Sequence, residues 1–337
     1  MSIDIIRICG AALIFLCHAC NESGTFIGGA LGQFFCVGVP IFFILSGYLH
    51  GLKLPSQNTP NWYGKKLKRL LLPLYIFIAI LAVVYLVAGY SINMSKWWQT
   101  IVPICGLSQN YIPGCGQLWF LTHLLVCYLI TPALQKFARP DKRGIIVIGL
   151  VWLAVCTLLA YTVAPIWCTL LGSLLSYAVG FYVLPHFLSR KRSYAALLGV
   201  ALFFCCCRLA FRHFFDETPF YNSVATEICS MGLALPIVIF LFQLGKRFDD
   251  AASSTVKLRI AGLSKRTYEF YLVHYIFLTG PLKIALPHYW QSAWAAFALA
   301  VVLAELVHYL SNLLNKKLRL ADCRRDGKTT GVLFGGR

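Results

Sequence analysis

Apolar stretches of about twenty residues recur along almost the whole chain, separated by short polar segments. A helix of roughly 20 residues crosses a hydrocarbon core of ~30 Å, so each stretch has the length of one membrane crossing. Inside lipid the backbone must satisfy its own hydrogen bonds, and stretches this continuous do so as helices. The expected spans are 3–21, 32–50, 70–90, 117–136, 144–162, 165–184, 194–212, 222–243, 262–282 and 290–315. The fold class that follows is all-α, a polytopic transmembrane bundle of about ten helices. Composition agrees: 59% of the 337 residues are hydrophobic and 12% charged, far from a soluble domain. The fifth and sixth spans are separated by little more than Ala164-Pro165, which predicts a tight hairpin.

A net charge of +18 would suit a nucleic-acid partner, but the basic residues sit in short clusters between apolar spans rather than along one face. Alternate loops and the termini hold 26 of the 30 Lys and Arg residues. The other side has only Lys96, Arg208, Arg212 and Lys283. Cytoplasmic loops carry the positive excess, so the N and C termini are both expected in the cytoplasm, with no nucleic-acid role. Loop 91–116 is then the largest external segment, its Trp97, Trp98 and Tyr111 suited to the interface. Residues 1–315 form the membrane domain, and the basic, Gly-rich tail 316–337 is expected to lie disordered against the inner leaflet.

Most of the fourteen cysteines lie within apolar spans, where Cys behaves as a small hydrophobe; Cys105 and Cys115 stand as a candidate external pair. No Cys/His metal-ligand spacing occurs. The first span lacks the basic leader and small-residue site of a cleaved signal and is expected to be retained.

Ionisable side chains inside spans are expensive and by default mark sites. The first span has Asp4, Arg7 and His18. Arg7 and His18 are almost three turns apart, sharing a face with roughly 16 Å between them along the axis. Arg7 alone reads as an arginine reaching for the inner interface, and His18 alone as a core histidine; together they read as a site. Asp4, three residues from Arg7, is placed to orient it. The second span, from Val37 to Tyr48, carries Gly, Pro and Ser that permit close approach and a kink at Pro40. Lys65, Lys66, Lys68 and Arg69, ahead of Pro73, read either as an ordinary inner anchor or as a landing site for anionic phosphates. His123, Glu227, Glu269, His274, Glu305 and His308 lie in or beside later spans, each singly more structural than chemical; Glu305 and His308, three apart, read as a structural pair.

Taken in order, these segments resemble acyltransferase family 3, integral membrane proteins that O-acylate sugars of bacterial surface polysaccharides. Arg7 and His18 match its Arg-x10-His first helix, and Gly38 to Tyr48 its Gly-Val-x-x-Phe-Phe-x-x-Ser-Gly-Phe/Tyr pattern. Lys66, Arg69 and Pro73 match a basic cluster before a Pro. Leu118-Trp119-Phe120-Leu121 with Pro132, and Thr267 to His274, match two later segments. Pro40 stands where many members carry Asp, and Lys66 replaces an Arg, keeping charge but losing the bidentate fork. The sequence has no fused extracytoplasmic hydrolase-like domain.

The resemblance implies a bacterial inner-membrane O-acetyltransferase, with cytosolic acyl-CoA, most often acetyl-CoA, as donor and a glycan or lipid-linked sugar as acceptor. His18 would be general base or transient acyl acceptor. Arg7 would bind CoA phosphate or hold the thioester end, with Lys66 and Arg69 gripping phosphates. His123, Tyr271 and His274 would position the acceptor or donate to an oxyanion. The competing class is a proton-coupled transporter or polysaccharide exporter, against which stands the lack of paired broken spans in matching halves.

Overall fold

In a computed structural model, which describes residues 1–52, 59–136, 142–162, 166–216 and 218–331, the chain is a helical bundle with no strand among those residues. The first span is α1 (Ser2–Asn21). The second divides into α2 (Phe26–Phe35) and α3 (Gly38–Gly51). Next come α4 (Thr59–Val87), the short external α5 (Met94–Ile101) and α6 (Cys105–Ser108), and α7 (Trp119–Lys136). α8 (Lys142–Thr162), α9 (Ile166–Ala178), α10 (Leu184–Leu188), α11 (Tyr194–Phe215) and α12 (Thr226–Ala251) follow. The chain ends with α13 (Ser254–Ser264), α14 (Thr267–Val273) and α15 (Tyr289–Gly331). Among the described residues nine helical stretches are long and apolar enough to cross a membrane. The Ala164-Pro165 hairpin lies outside them.

The expected kink at Pro40 is displaced. Pro40 sits in the first turn of α3, where a missing N–H loses no helical bond, and the chain turns instead at Cys36-Val37. The final helix also differs, running through residue 315, the expected end of its span, to Gly331.

The segment expected as one helix over 262–282 is broken. α13 stops at Ser264, α14 lasts seven residues, and a tight 3-10 turn covers His274–Phe277. Thr267 donates to the Ser264 carbonyl at the first break (2.8 Å). At the second, the carbonyls of Tyr271 and Leu272 accept from the side chains of His274 and Gln117 (2.8 and 2.7 Å). Broken helices survive at membrane depth only where side chains re-satisfy the released backbone in this way. The segment still traverses the bundle: Lys265 shares a cavity with Arg7 near the start of α1, whereas Lys283 pairs with Glu22 beyond its end (3.7 Å). α15 then returns, bonding Ala19 through Tyr289 at one end and Arg266 through Glu305 nearer the other. This is the tenth crossing, and it brings α15 back to the end where α1 begins.

The main core gathers Ile14, Phe43, Leu74, Phe77, Leu118, Tyr177 and Leu272 from six different segments. Its tightest seam joins α3 to the end of α9. A Cβ on Gly47 would stand 1.9 Å from the Tyr177 carbonyl, and one on Gly180 1.9 Å from that of Ile44. Only glycine allows backbones so close, which is the use small residues have between membrane helices. In contrast, α8 and α11 turn most of their apolar side chains outward, as helices at the lipid boundary do.

Outside the spans, Cys105 and Cys115 are buried free thiols. Burial pushes both thiols above the ordinary range, for Cys115 with added repulsion from Cys105. Only the thiolate reacts, and each unit of raised pKa lowers its fraction about tenfold at neutral pH. In a variant retaining only these two cysteines, maleimide should label the folded protein at least tenfold more slowly than the denatured chain, the difference shrinking as pH rises. Separately, Gly47→Ala and Gly180→Ala should each lose at least the ~1–3 kcal/mol of an overpacked core, read as a lower melting temperature in detergent.

Candidate functional site

Four cations from three parts of the chain meet in one cavity of ≈ 330 Å³. Arg7 comes from α1, Lys66 and Arg69 from one face of α4, and Lys265 from the break after α13. The sequence pattern places Lys66 and Arg69 three residues apart, hence neighbours on a helix. The Lys66 ammonium lies 5.7 Å from the Trp62 ring centre and 5.6 Å from that of Tyr128, an aromatic seat that holds it over the cavity. Among the described residues no carboxylate is within ion-pair distance of Arg7, Arg69 or Lys265. Asp4, expected to orient Arg7, forms its ion pair with the Met1 amine instead (3.7 Å) and reaches Arg7 only through longer-range attraction.

Polar groups brace the remaining walls. His50 Nδ1 is 2.9 Å from the Tyr177 hydroxyl, which is itself 2.6 Å from Thr131 Oγ1. Tyr268 donates to the Leu70 carbonyl (2.7 Å), joining α14 to α4. The cavity narrows toward Phe120 and Tyr271, whose ring centres are 4.9 Å apart. The Tyr271 hydroxyl donates to the Gln117 carbonyl, and the Gln117 amide donates back to Leu272. The result is a cation-rich chamber closed by an aromatic wall.

His18 lies beyond that wall. Its half-buried ring stands 5.3 Å from His274 and 4.4 Å from Tyr275, centre to centre. Tyr271 connects the two regions: one side of it lines the chamber, and its ring centre is 5.8 Å from His274. The structure therefore gathers the sequence candidates into two neighbouring groups, Arg7, Lys66, Arg69 and Tyr271 in the chamber and His18 with His274 behind it. His123 belongs to neither group. It is fully buried, packed on Trp119 (4.9 Å), with Nδ1 3.1 Å from Ser173 Oγ, so it ties α7 to α9.

The pairing expected between Glu305 and His308 also changes. Adjacent turns of α15 point them at different partners: His308 meets buried Glu269 (2.9 Å), and Glu305 meets Arg266. Both pairs fasten α15 to the broken segment. Sequence reasoning missed Lys265, Tyr128, Gln117 and Tyr275. Lys265 was visible only as one more positive charge on the basic side. Gln117, an amide at the start of an apolar span, was the one signal that a carbonyl nearby needed a donor.

A chamber of this kind can neutralise a polyanion with charge-assisted hydrogen bonds, and an imidazole behind it can take a proton. Among the described residues no group of three or more His, Cys, Asp or Glu is placed to hold a metal ion. A protein-family model, acyltransferase 3, described as an acyltransferase domain, matches residues 2–310. No match was found among curated proteins or among solved structures.

Proposed function

The chain belongs to acyltransferase family 3, and from that premise we propose that it transfers an acetyl group from cytosolic acetyl-CoA to a hydroxyl of a surface or exported glycan. It is a multi-pass membrane acyltransferase; the donor, the acceptor, the chemistry at oxygen and the bacterial inner membrane are parts of the proposal. One observation carries it: Arg7, Lys66, Arg69 and Lys265 converge on a single cavity whose far wall backs onto a histidine pair. With the basic side inward, that cavity is the cytosolic mouth.

Coenzyme A is a multiply charged phosphate ester with a long flexible arm ending in the thioester. Arginine forks and lysine ammoniums in a partly enclosed chamber grip its phosphates with charge-assisted hydrogen bonds. The arm then extends past Phe120 and Tyr271 toward His18, roughly 16 Å along the helix from Arg7. A sugar hydroxyl arriving from the opposite face is a weak nucleophile at neutral pH. His18 takes its proton as the hydroxyl oxygen attacks the thioester carbonyl, and the tetrahedral intermediate collapses with release of the CoA thiolate. A two-step route, in which His18 first carries the acyl group, uses the same residues. Only the acyl group crosses in either case.

Two measurements check this reading in membranes supplied with labelled acetyl-CoA and the glycan. His18→Ala should lower kcat by about 10²–10⁴-fold at unchanged protein level, the share a positioned base contributes. Arg69→Ala or Lys265→Ala should instead raise KM for acetyl-CoA ~10–100-fold, the equivalent of the ~1.5–3 kcal/mol of a charged hydrogen bond. Transfer that survives His18→Ala undiminished would overturn the assignment.

A further inference from the structure

His274 is fixed more tightly than any other histidine near the site. It is fully buried at the point where α14 tightens into the 3-10 turn, with Phe270 stacked on it (5.8 Å, 17°) and Phe15 edge-on (6.3 Å). Its Nδ1 lies 2.8 Å from the Tyr271 main-chain carbonyl. A carbonyl oxygen only accepts, so Nδ1 carries the hydrogen, and in the neutral ring Nε2 is then a bare lone pair. That Nε2 is buried and has no partner among the described residues. A nitrogen in this state accepts and cannot donate, which removes oxyanion donation from the roles of neutral His274. Tyr271 has likewise committed its hydroxyl proton, to Gln117.

The nearest ring with a proton to offer is His18. Its centre is 5.3 Å from that of His274 and its plane is tilted by 35°, a separation across which one nitrogen of each ring can meet at hydrogen-bonding distance. His18 is half-buried and makes no hydrogen bond to a described residue, so it is the ring that can turn. Building on the acyltransferase reading, we propose that His274 is a positioning residue for His18. Its Nε2 accepts the N–H of His18 and fixes the tautomer in which the other His18 nitrogen faces the acceptor hydroxyl. When His18 takes the hydroxyl proton, the imidazolium formed stays hydrogen-bonded to His274. The arrangement fills, with a neutral imidazole, the place that a carboxylate occupies behind the histidine of a catalytic triad.

Gln117 and the Tyr271 carbonyl act one step further back. They hold the broken backbone that sets the His274 ring at this angle. Gly114 and Gly280, both at positive φ (77° and 78°), let the loop before Gln117 lie against the loop after the 3-10 turn. A Cβ on Gly280 would stand 2.6 Å from Gly114 Cα.

The test compares three full-length variants in membranes with acetyl-CoA and the glycan acceptor: His274→Leu, His274→Gln, and His274 replaced by 3-(2-pyrrolyl)alanine, which has N–H at the Nδ1 position and C–H at the Nε2 position. The leucine variant should lose kcat about 100-fold or more, the order expected when a base is left in the wrong tautomer, with KM for acetyl-CoA unchanged. Glutamine, whose amide oxygen can accept in place of Nε2, should recover at least tenfold of that loss. The pyrrole keeps the ring and the Nδ1–H bond to Tyr271 but has no lone pair at the Nε2 position, so this variant should behave like leucine. A fully active pyrrolyl variant, or glutamine and leucine variants equally impaired with raised donor KM, would overturn the positioning role. Absence of transfer by the wild-type protein would overturn it too, by removing the acyltransferase reading beneath it; the three variants are informative only against an active parent.

Discussion

The constraint on which everything else depends is that a backbone at membrane depth must find all its hydrogen bonds within the protein. Nine long helices meet it by their own geometry. The broken segment before α15 does not, and the side chains recruited to meet it there stand at the candidate site. Gln117 answers Leu272, His274 answers Tyr271, and Tyr271 answers Gln117. The same broken segment brings Lys265 to the basic chamber at its near end and His274 to His18 at its far end. Site and scaffold are here a single set of hydrogen bonds.

Charge is distributed unevenly along the bundle. The chamber gathers four cations, and among the described residues no carboxylate is in ion-pair reach of Arg7, Arg69 or Lys265. The region around His18 is instead aromatic: His274 and Tyr275 pack on it, and Phe15 and Phe270 pack on His274. Beyond it, Glu22 and Lys283 form an ion pair (3.7 Å).

Much of this was legible in the sequence, and the reasons differ by residue. Span positions followed from apolar length, because lipid leaves few alternatives. Arg7 and His18 were legible because charges inside a span are rare and helical periodicity places them on one face. The broken segment was not, since its composition is as apolar as that of its neighbours; its breaks depend on donors 155 residues away in sequence, at Gln117. The partners of Asp4, Glu305 and His308 were misjudged for a related reason. Helical spacing lists the neighbours a side chain has on its own helix; Glu305 and His308 found partners on the broken segment, and Asp4 turned back to the Met1 amine at the helix start. His123 illustrates the opposite error, a buried histidine whose Ser173 contact makes it a strut between helices.

The glycine seam between α3 and the end of α9 bears on how a donor could enter. Gly47 and Gly180 press backbone against backbone, and Gly51 does the same to Phe181 one turn further along. Two helices locked at three successive points can neither slide nor hinge apart without unpacking. Ser46 and His50, which face the chamber from α3, thus sit on a fixed anvil. Lys265 and Tyr268 approach from the opposite side, on a segment held by side-chain hydrogen bonds and ion pairs rather than by backbone contact. The chamber is therefore asymmetric: one wall is fixed by backbone pressed on backbone, and the wall that carries Lys265 is fastened through side chains.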